Sequence, residues 1–240
     1  MLEFPLALVT GAAHRLGRAF ALALARQGYA ILLHYHLSAE YANEAASEIQ
    51  SLGVPVYLVQ ADLTNTTDLY SLFSTLDKLP HRLKVLVNSA ALMPRGDVRT
   101  LSAADFDSAL ALNLRAPFLC AQESAKRMEA GGLIVNVTDV GAQKAWSGFP
   151  AYTVSKAALE SLTRLQARSL APRIRVNAIA PGLVLPSEYV TEEEWKRLVE
   201  RLPLKRPASV DEIASALEFL LENEYITGQT IIVDGGYSLV

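Results

Sequence analysis

Tyr152 and Lys156 stand four residues apart, so on a helix they share one face. An ammonium beside a phenol stabilises the phenolate and draws its pKa down from about 10, which makes the tyrosine a proton donor or acceptor near working pH. A second pattern, Thr10-Gly11-Ala12-Ala13-His14-Arg15-Leu16-Gly17, lets the backbone come close to a phosphate at its glycines, where a following helix offers N–H groups and the positive end of its dipole. Arg15 sits inside that turn, and a cation there opposes the helix dipole unless an anion binds beside it. A third pattern, His34-Tyr35-His36-Leu37-Ser38, lies where a carboxylate would read a ribose 2′-hydroxyl, yet no acid precedes Glu40. With Arg15, His36 and Ser38 as donors, it suits a 2′-phosphate, and therefore NADP. His34 and His36 also share a strand face, but no third or fourth ligand accompanies them and no metal is expected.

Each pattern has a plain counterpart: an exposed helix pair, an ordinary turn, an unremarked strand end. Position decides between the readings. Strand-like runs fall at 6–10, 30–36, 54–60, 83–88, 133–138, 175–180 and 229–233, several nearly continuous in Val, Ile and Leu, as parallel strands covered on both faces require. Helical stretches fall between them, at 16–27, 39–52, 66–79, 103–130, 152–170, 192–201 and 210–221. Such alternation predicts one α/β domain over residues 1–240, a Rossmann-type doubly wound parallel sheet of about seven strands with helices on both faces. The glycine turn then follows the first strand and opens a helix, and Tyr152 opens the helix after the fifth strand. Ser209 with Glu212 three residues on predicts a capping box. Pro181–Thr191 is a Pro- and Gly-punctuated loop before a short charged helix, so 181–201 is a candidate substrate-loop region at the edge where ligands bind in open α/β sheets.

The balance of 22 Lys and Arg against 25 Asp and Glu speaks against a general nucleic-acid binder, which carries a basic excess. The single cysteine, Cys120, lies in an apolar helical stretch, fits a packing role and suits a reducing compartment. The N-terminal stretch lacks the basic start and cleavage site of a signal peptide, and no uncharged apolar run nears the ~20 residues a membrane helix needs. A cytoplasmic protein acting on a small molecule, without nucleic acid or membrane, is the expectation.

Together the motifs resemble the short-chain dehydrogenase/reductase family from Leu6 to the C-terminus, and within it the pteridine reductases. The family resemblance rests on the Thr10–Gly17 turn, Asp62, Asn88-Ser89-Ala90-Ala91, Asn113, Tyr152 with Lys156, Pro181-Gly182 and Asp234-Gly235-Gly236. The narrower likeness rests on Arg15 in place of the middle glycine, on His34-Tyr35-His36-x-Ser38, and on Asp139 where most relatives carry a catalytic serine. It implies catalysis by Asp139, Tyr152, Lys156 and Asn113, with Lys156 lowering the Tyr152 pKa and Asn113 keeping a water near Lys156. It further implies NADP held by Gly11, His14, Arg15, Leu16 and Gly17, by His36, Ser38, Asp62 and Leu63, by Asn88, Ser89 and Ala90, and by Tyr152, Lys156, Pro181 and Gly182. The substrate, a dihydropterin or dihydrofolate, would lie against Arg15, Met93, Asp139, Tyr152 and Leu183. Leu37, Met93 and Ala91 depart from the pteridine reductase pattern, where Arg, Phe and Ser are expected. Carbonyl or 3-oxoacyl reduction on the same scaffold, and a non-catalytic NADP-sensing module, are the alternatives. The resemblance also implies a homotetramer packed through the 103–130 and 152–170 helices.

Charge-assisted hydrogen bonds to a phosphate contribute ~1.5–3 kcal/mol each, so kcat/KM with NADPH is expected to exceed that with NADH at least about tenfold. Equal or better kcat/KM with NADH contradicts the reading of His36 and Ser38.

Overall fold

Seven of the apolar runs become strands of one parallel sheet: β1 (Leu6–Thr10), β2 (Ala30–Tyr35), β3 (Val56–Gln60), β4 (Leu83–Asn88), β5 (Gly132–Val137), β6 (Ile174–Pro181) and β7 (Thr230–Val233). The computed structural model describes residues 4–187 and 189–240; of the 181–201 region, Glu188 therefore lies outside the described residues. Strand order is β3-β2-β1-β4-β5-β6-β7. The chain builds outward from β1 to β3, then returns to the other side of β1 with β4. Pairing is parallel throughout, for example Leu6 with Ala30, Val87 with Val135 and Ile179 with Ile231. The order reverses between β1 and β4, which opens a crevice at the carboxyl ends of the strands, where ligands of such sheets bind.

Alternate residues of the central strands feed two cores. Ala7, Val9, Ile31, Leu33, Val85 and Val87 pack on one face against α1 (Arg15–Arg26), α2 (Ala39–Ser51) and α9 (Val210–Glu222). Leu6, Leu8, Leu32, Leu86, Ile134 and Val176 pack on the other against α3 (Thr66–Leu76), α5 (Ala116–Arg127) and α7 (Pro150–Leu170). The edge strands β3 and β7 are only partly covered, and their burial is mixed. Cys120 is fully buried in the second core, and burial pushes its thiol up to about 12, so it packs as a small hydrophobe. No helix among the described residues is long and apolar enough to cross a membrane.

Local signals set the helix starts. Ser209 and Glu212 form the expected capping box on α9, and Thr191 with Glu194 forms another on α8 (Glu192–Arg201). One prediction needs correction. The expected 103–130 helix is two helices, α4 (Ala103–Leu110) and α5, joined by a π-helical turn over Ala111–Arg115, and α5 ends at Arg127. A π turn leaves the apolar spacing nearly continuous, so periodicity does not reveal it; such turns concentrate at functional sites, and this one carries Asn113. A short helix, α6 (Gly141–Lys144), was likewise not anticipated.

The α1–β1 approach depends on Gly17, where an added Cβ would stand 2.1 Å from the Gly11 carbonyl oxygen. That oxygen is backbone and cannot swing aside. Gly17→Ala is expected to lower the melting temperature by roughly 5–10 °C through overpacking of the turn. A thermal melt matching the wild type overturns this reading.

Candidate active site

The turn after β1 is shaped for close approach. Gly11 has φ +64°, and a Cβ there would meet the Ala90 Cα at 2.8 Å. Arg15 adopts φ +53°, the left-handed conformation that glycine takes freely and that costs an L-residue roughly 1 kcal/mol. Its guanidinium donates to the carbonyls of Leu185 at 3.0 Å and Pro186 at 3.1 Å, so the turn and the loop after β6 are joined. The α1 N-terminus has no acid in its first turn and no side-chain bond from its cap, His14. Its N–H groups are thus available to an anion.

His34 has a structural task that its spacing did not disclose. Its Nδ1 accepts from the Gly11 N–H at 3.1 Å, and its Nε2 stands 3.0 Å from the Ala61 carbonyl, which fixes the ring proton on Nε2. Both nitrogens are committed to backbone, and burial lowers the imidazole pKa to about 4. His36 and Ser38 instead face the crevice, while Leu37 is 80% exposed beside them. At the end of β3, Asp62 Oδ1 accepts from the Thr64 N–H at 2.9 Å and its hydroxyl at 2.7 Å. Burial opposes ionisation of Asp62, but the Thr64 bonds and the neighbouring histidines hold its carboxyl below the ordinary range.

The β4 end is tied to the turn through Thr10, whose Oγ1 accepts from the N–H groups of Ser89 and Ala90 at 3.0 and 3.1 Å. Asn88 donates to Asn136 at 2.8 Å, and Asn136 donates to Thr163 at 2.9 Å, so buried amides fix β4, β5 and α7 together. Asn113 is fully buried in its π turn; its carboxamide accepts from the Leu92 N–H, donates to the Leu92 carbonyl, and donates to Ser155 at 2.9 Å. It holds the loop after β4 against α7. Asn88 and Asn113 therefore stand behind the crevice, whereas all the other predicted site residues line a single cavity of about 1010 Å³.

At the centre of that cavity the Tyr152 hydroxyl donates to Asp139 Oδ2 at 2.8 Å, and Asp139 Oδ1 accepts from the Gly141 N–H at 2.7 Å. Burial raises the Asp139 pKa. Lys156 donates to the Val137 carbonyl at 2.7 Å, and its Nζ lies 5.6 Å from the centroid of the Tyr152 ring. The expectation that Lys156 lowers the Tyr152 pKa is corrected here. Burial and the adjoining Asp139 carboxyl raise it well above its ordinary value, and burial lowers Lys156 itself to about 8. Asp139, hydrogen-bonded to the hydroxyl, adds to the effect of burial.

Several lining residues escaped the sequence reading. Trp146, Ser147, Gly148 and Phe149 form the wall between Asp139 and Tyr152, while Trp195 and Leu198 of α8 and Tyr237 near the C-terminus complete it. Two aromatics flanking Ser-Gly just upstream of Tyr152 were the available signal. The loop after β6 also lines the cavity through Leu183, Val184, Leu185 and Ser187. Asp234 caps the closing turn by accepting from the N–H groups of Gly236 and Ser238.

The chain is similar to known proteins. A family profile described as enoyl-(acyl carrier protein) reductase matches residues 11–238. A 1-cyclohexenylcarbonyl-CoA reductase from Streptomyces collinus is 36% identical over 242 residues, covering 97% of this chain and 86% of the relative. The 3-oxoacyl-acyl-carrier-protein reductase FabG of Staphylococcus aureus is 32% identical over 237 residues, covering 96% of each. The crystal structure of FolM alternative dihydrofolate reductase 1 from Brucella canis, complexed with NADP, superposes with a TM-score of 0.93 at 37% identity, covering 100% of this chain and 96% of that one.

The His34 bracket predicts a pH dependence. The folded pKa of about 4 lies below the ordinary 6.5, so the neutral ring stabilises the fold above pH 6.5 and that contribution is lost as pH falls from 6.5 towards 4. The loss is on the order of 3 kcal/mol. In thermal melts across this window, His34→Gln is expected to show a flatter decline than the wild type; an equally steep decline contradicts the bracket.

Proposed function

The chain belongs to the short-chain dehydrogenase/reductase family, and we propose that its reaction is the NADPH-dependent reduction of a C=N bond in a dihydropterin or dihydrofolate. The observation that carries this reading is the hydrogen bond between Tyr152 and a half-buried aspartate, Asp139. Ketone reduction builds negative charge on oxygen and favours neutral donors around it, which an ionised carboxylate would oppose. Reduction of C=N leaves a nitrogen that must take up a proton, and a carboxyl group with a raised pKa is suited to deliver one.

The residues present fit the cofactor. The Gly11–Gly17 turn leaves room where side chains would collide; Arg15, His36 and Ser38 would hold the 2′-phosphate, Asp62 the adenine end, and Lys156 the nicotinamide ribose. NADPH bound there supplies a hydride to the substrate carbon. Asp139 in its protonated form supplies the proton to the nitrogen, the carboxylate so formed accepts a hydrogen bond from the Tyr152 hydroxyl, and a proton from solvent restores the acid. Asn113 is a positioning residue, since its bonds to Leu92 and Ser155 set the walls rather than touch the reacting atoms. Likeness to the dihydrofolate reductase structure supports this assignment. Reduction of a 3-oxoacyl or other carbonyl substrate at the same Tyr152 is the second reading, favoured by the likeness to the 3-oxoacyl-acyl-carrier-protein reductase. Assembly as a homotetramer belongs to the proposal too, supported by the exposed Phe118 on α5 and Val154 and Leu165 on α7.

The test compares kcat/KM for dihydrobiopterin, dihydrofolate and an activated ketone. The wild type is expected to prefer the pteridines, Tyr152→Phe to lose ~10²–10⁴-fold in kcat with NADPH binding intact, and Asp139→Ser to impair pteridine reduction selectively. Preference for the ketone, or full pteridine activity in Asp139→Ser, overturns the proposal.

A further inference from the structure

A second cavity, of about 330 Å³, adjoins the first; Phe149, Val190 and Leu198 line both. Arg95, Arg197 and Arg201 surround it, with Glu194 the sole acid among its described lining residues. On α8 the positions 194, 197, 198 and 201 fall on one helix face. The ion pair within α8, Lys196–Glu192, lies on the opposite face. The Glu194 carboxylate is already committed, accepting from the Thr191 N–H at 3.0 Å in the capping box. Arg95 donates to the Tyr189 carbonyl at 3.2 Å. Among the described residues no carboxylate lies within 4.0 Å of Arg197 or Arg201 as an ion-pair partner, and α8 buries no residue whose packing would need them there. Glu194 offsets part of the charge of Arg95 and Arg197, which leaves three guanidiniums against one carboxylate round the opening, and planar guanidinium forks suit carboxylate and phosphate.

We propose that this second cavity is a subsite for an anionic tail on the substrate, whose reducible ring occupies the main cavity. Resting on the pteridine reading above, the tail is the glutamate moiety of a folate, so the enzyme acts on folates in preference to unconjugated pterins. The passage between the cavities suits that substrate: Phe149 and Tyr189, with ring centroids 6.2 Å apart, offer apolar faces to the aromatic segment joining ring and tail. The same cluster would take the phosphates of an acyl-CoA, and the experiment separates the two sources.

Dihydrofolate and dihydrobiopterin share the reducible ring, and only the first carries carboxylates. Replacing both Arg197→Gln and Arg201→Gln is expected to raise KM for dihydrofolate about tenfold, leaving kcat and the dihydrobiopterin constants within about twofold of wild type. The lysine pair, Arg197→Lys with Arg201→Lys, retains the charge and should keep most of the dihydrofolate advantage, which should also shrink as NaCl rises. Equal effects on both pteridines, or no effect on either, overturn the subsite. If the wild type reduces neither pteridine, the C=N reading falls by itself. The subsite is then judged by a 3-oxoacyl-CoA against the N-acetylcysteamine thioester of the same acid: an arginine-dependent preference for the CoA ester sustains it with phosphate as the anion, and indifference overturns it.

Discussion

At the carboxyl edge of a parallel sheet the strands end with unpaired backbone groups, and here buried polar side chains take them up in series. His34 joins Gly11 to Ala61, so β1, β2 and β3 end in register. Thr10 extends the series to Ser89 and Ala90 beyond β4, and Asn88 with Asn136 carries it to β5 and α7. Each of these groups would be costly if buried without a partner. Their mutual satisfaction makes the edge rigid where ligand-binding residues must hold position.

Against that rigid edge, Asp139, Tyr152 and Lys156 form an electrostatic compromise. Burial disfavours charge on all three. The hydrogen bond from the Tyr152 hydroxyl to the Asp139 carboxyl keeps the phenol protonated and avoids placing two negative charges side by side. Lys156, desolvated and bound to the Val137 carbonyl, offsets the charge of Asp139 without direct contact. The pair is therefore a proton reservoir set by its surroundings more than by either residue alone.

Local features were readable from the chain itself. The strand runs, the glycine turn and the capping boxes rest on neighbours within one turn or one strand, so residue type and spacing suffice. The shared face of Tyr152 and Lys156 followed from helix geometry alone. What touches Tyr152 did not: Asp139 reaches it only because β5 and α7 bring residues 13 apart into contact, and burial together with that proximity sets the pKa direction. The π turn at Asn113 stayed hidden because one inserted residue barely alters apolar spacing. The bracketing role of His34 was equally silent, since its partners Gly11 and Ala61 belong to other strand ends.

Arg15 holds an unfavourable backbone angle while its side chain grips Leu185 and Pro186. The loop over the crevice is thus secured by a residue of the opposite wall as well as by Val184 in the core. An anion that draws this guanidinium away from those two carbonyls loosens the tie, so its binding and the freedom of the loop are thermodynamically linked. Arginine at this position works as a mechanical link between two halves of the cleft, a function that the glycine it replaces could not perform.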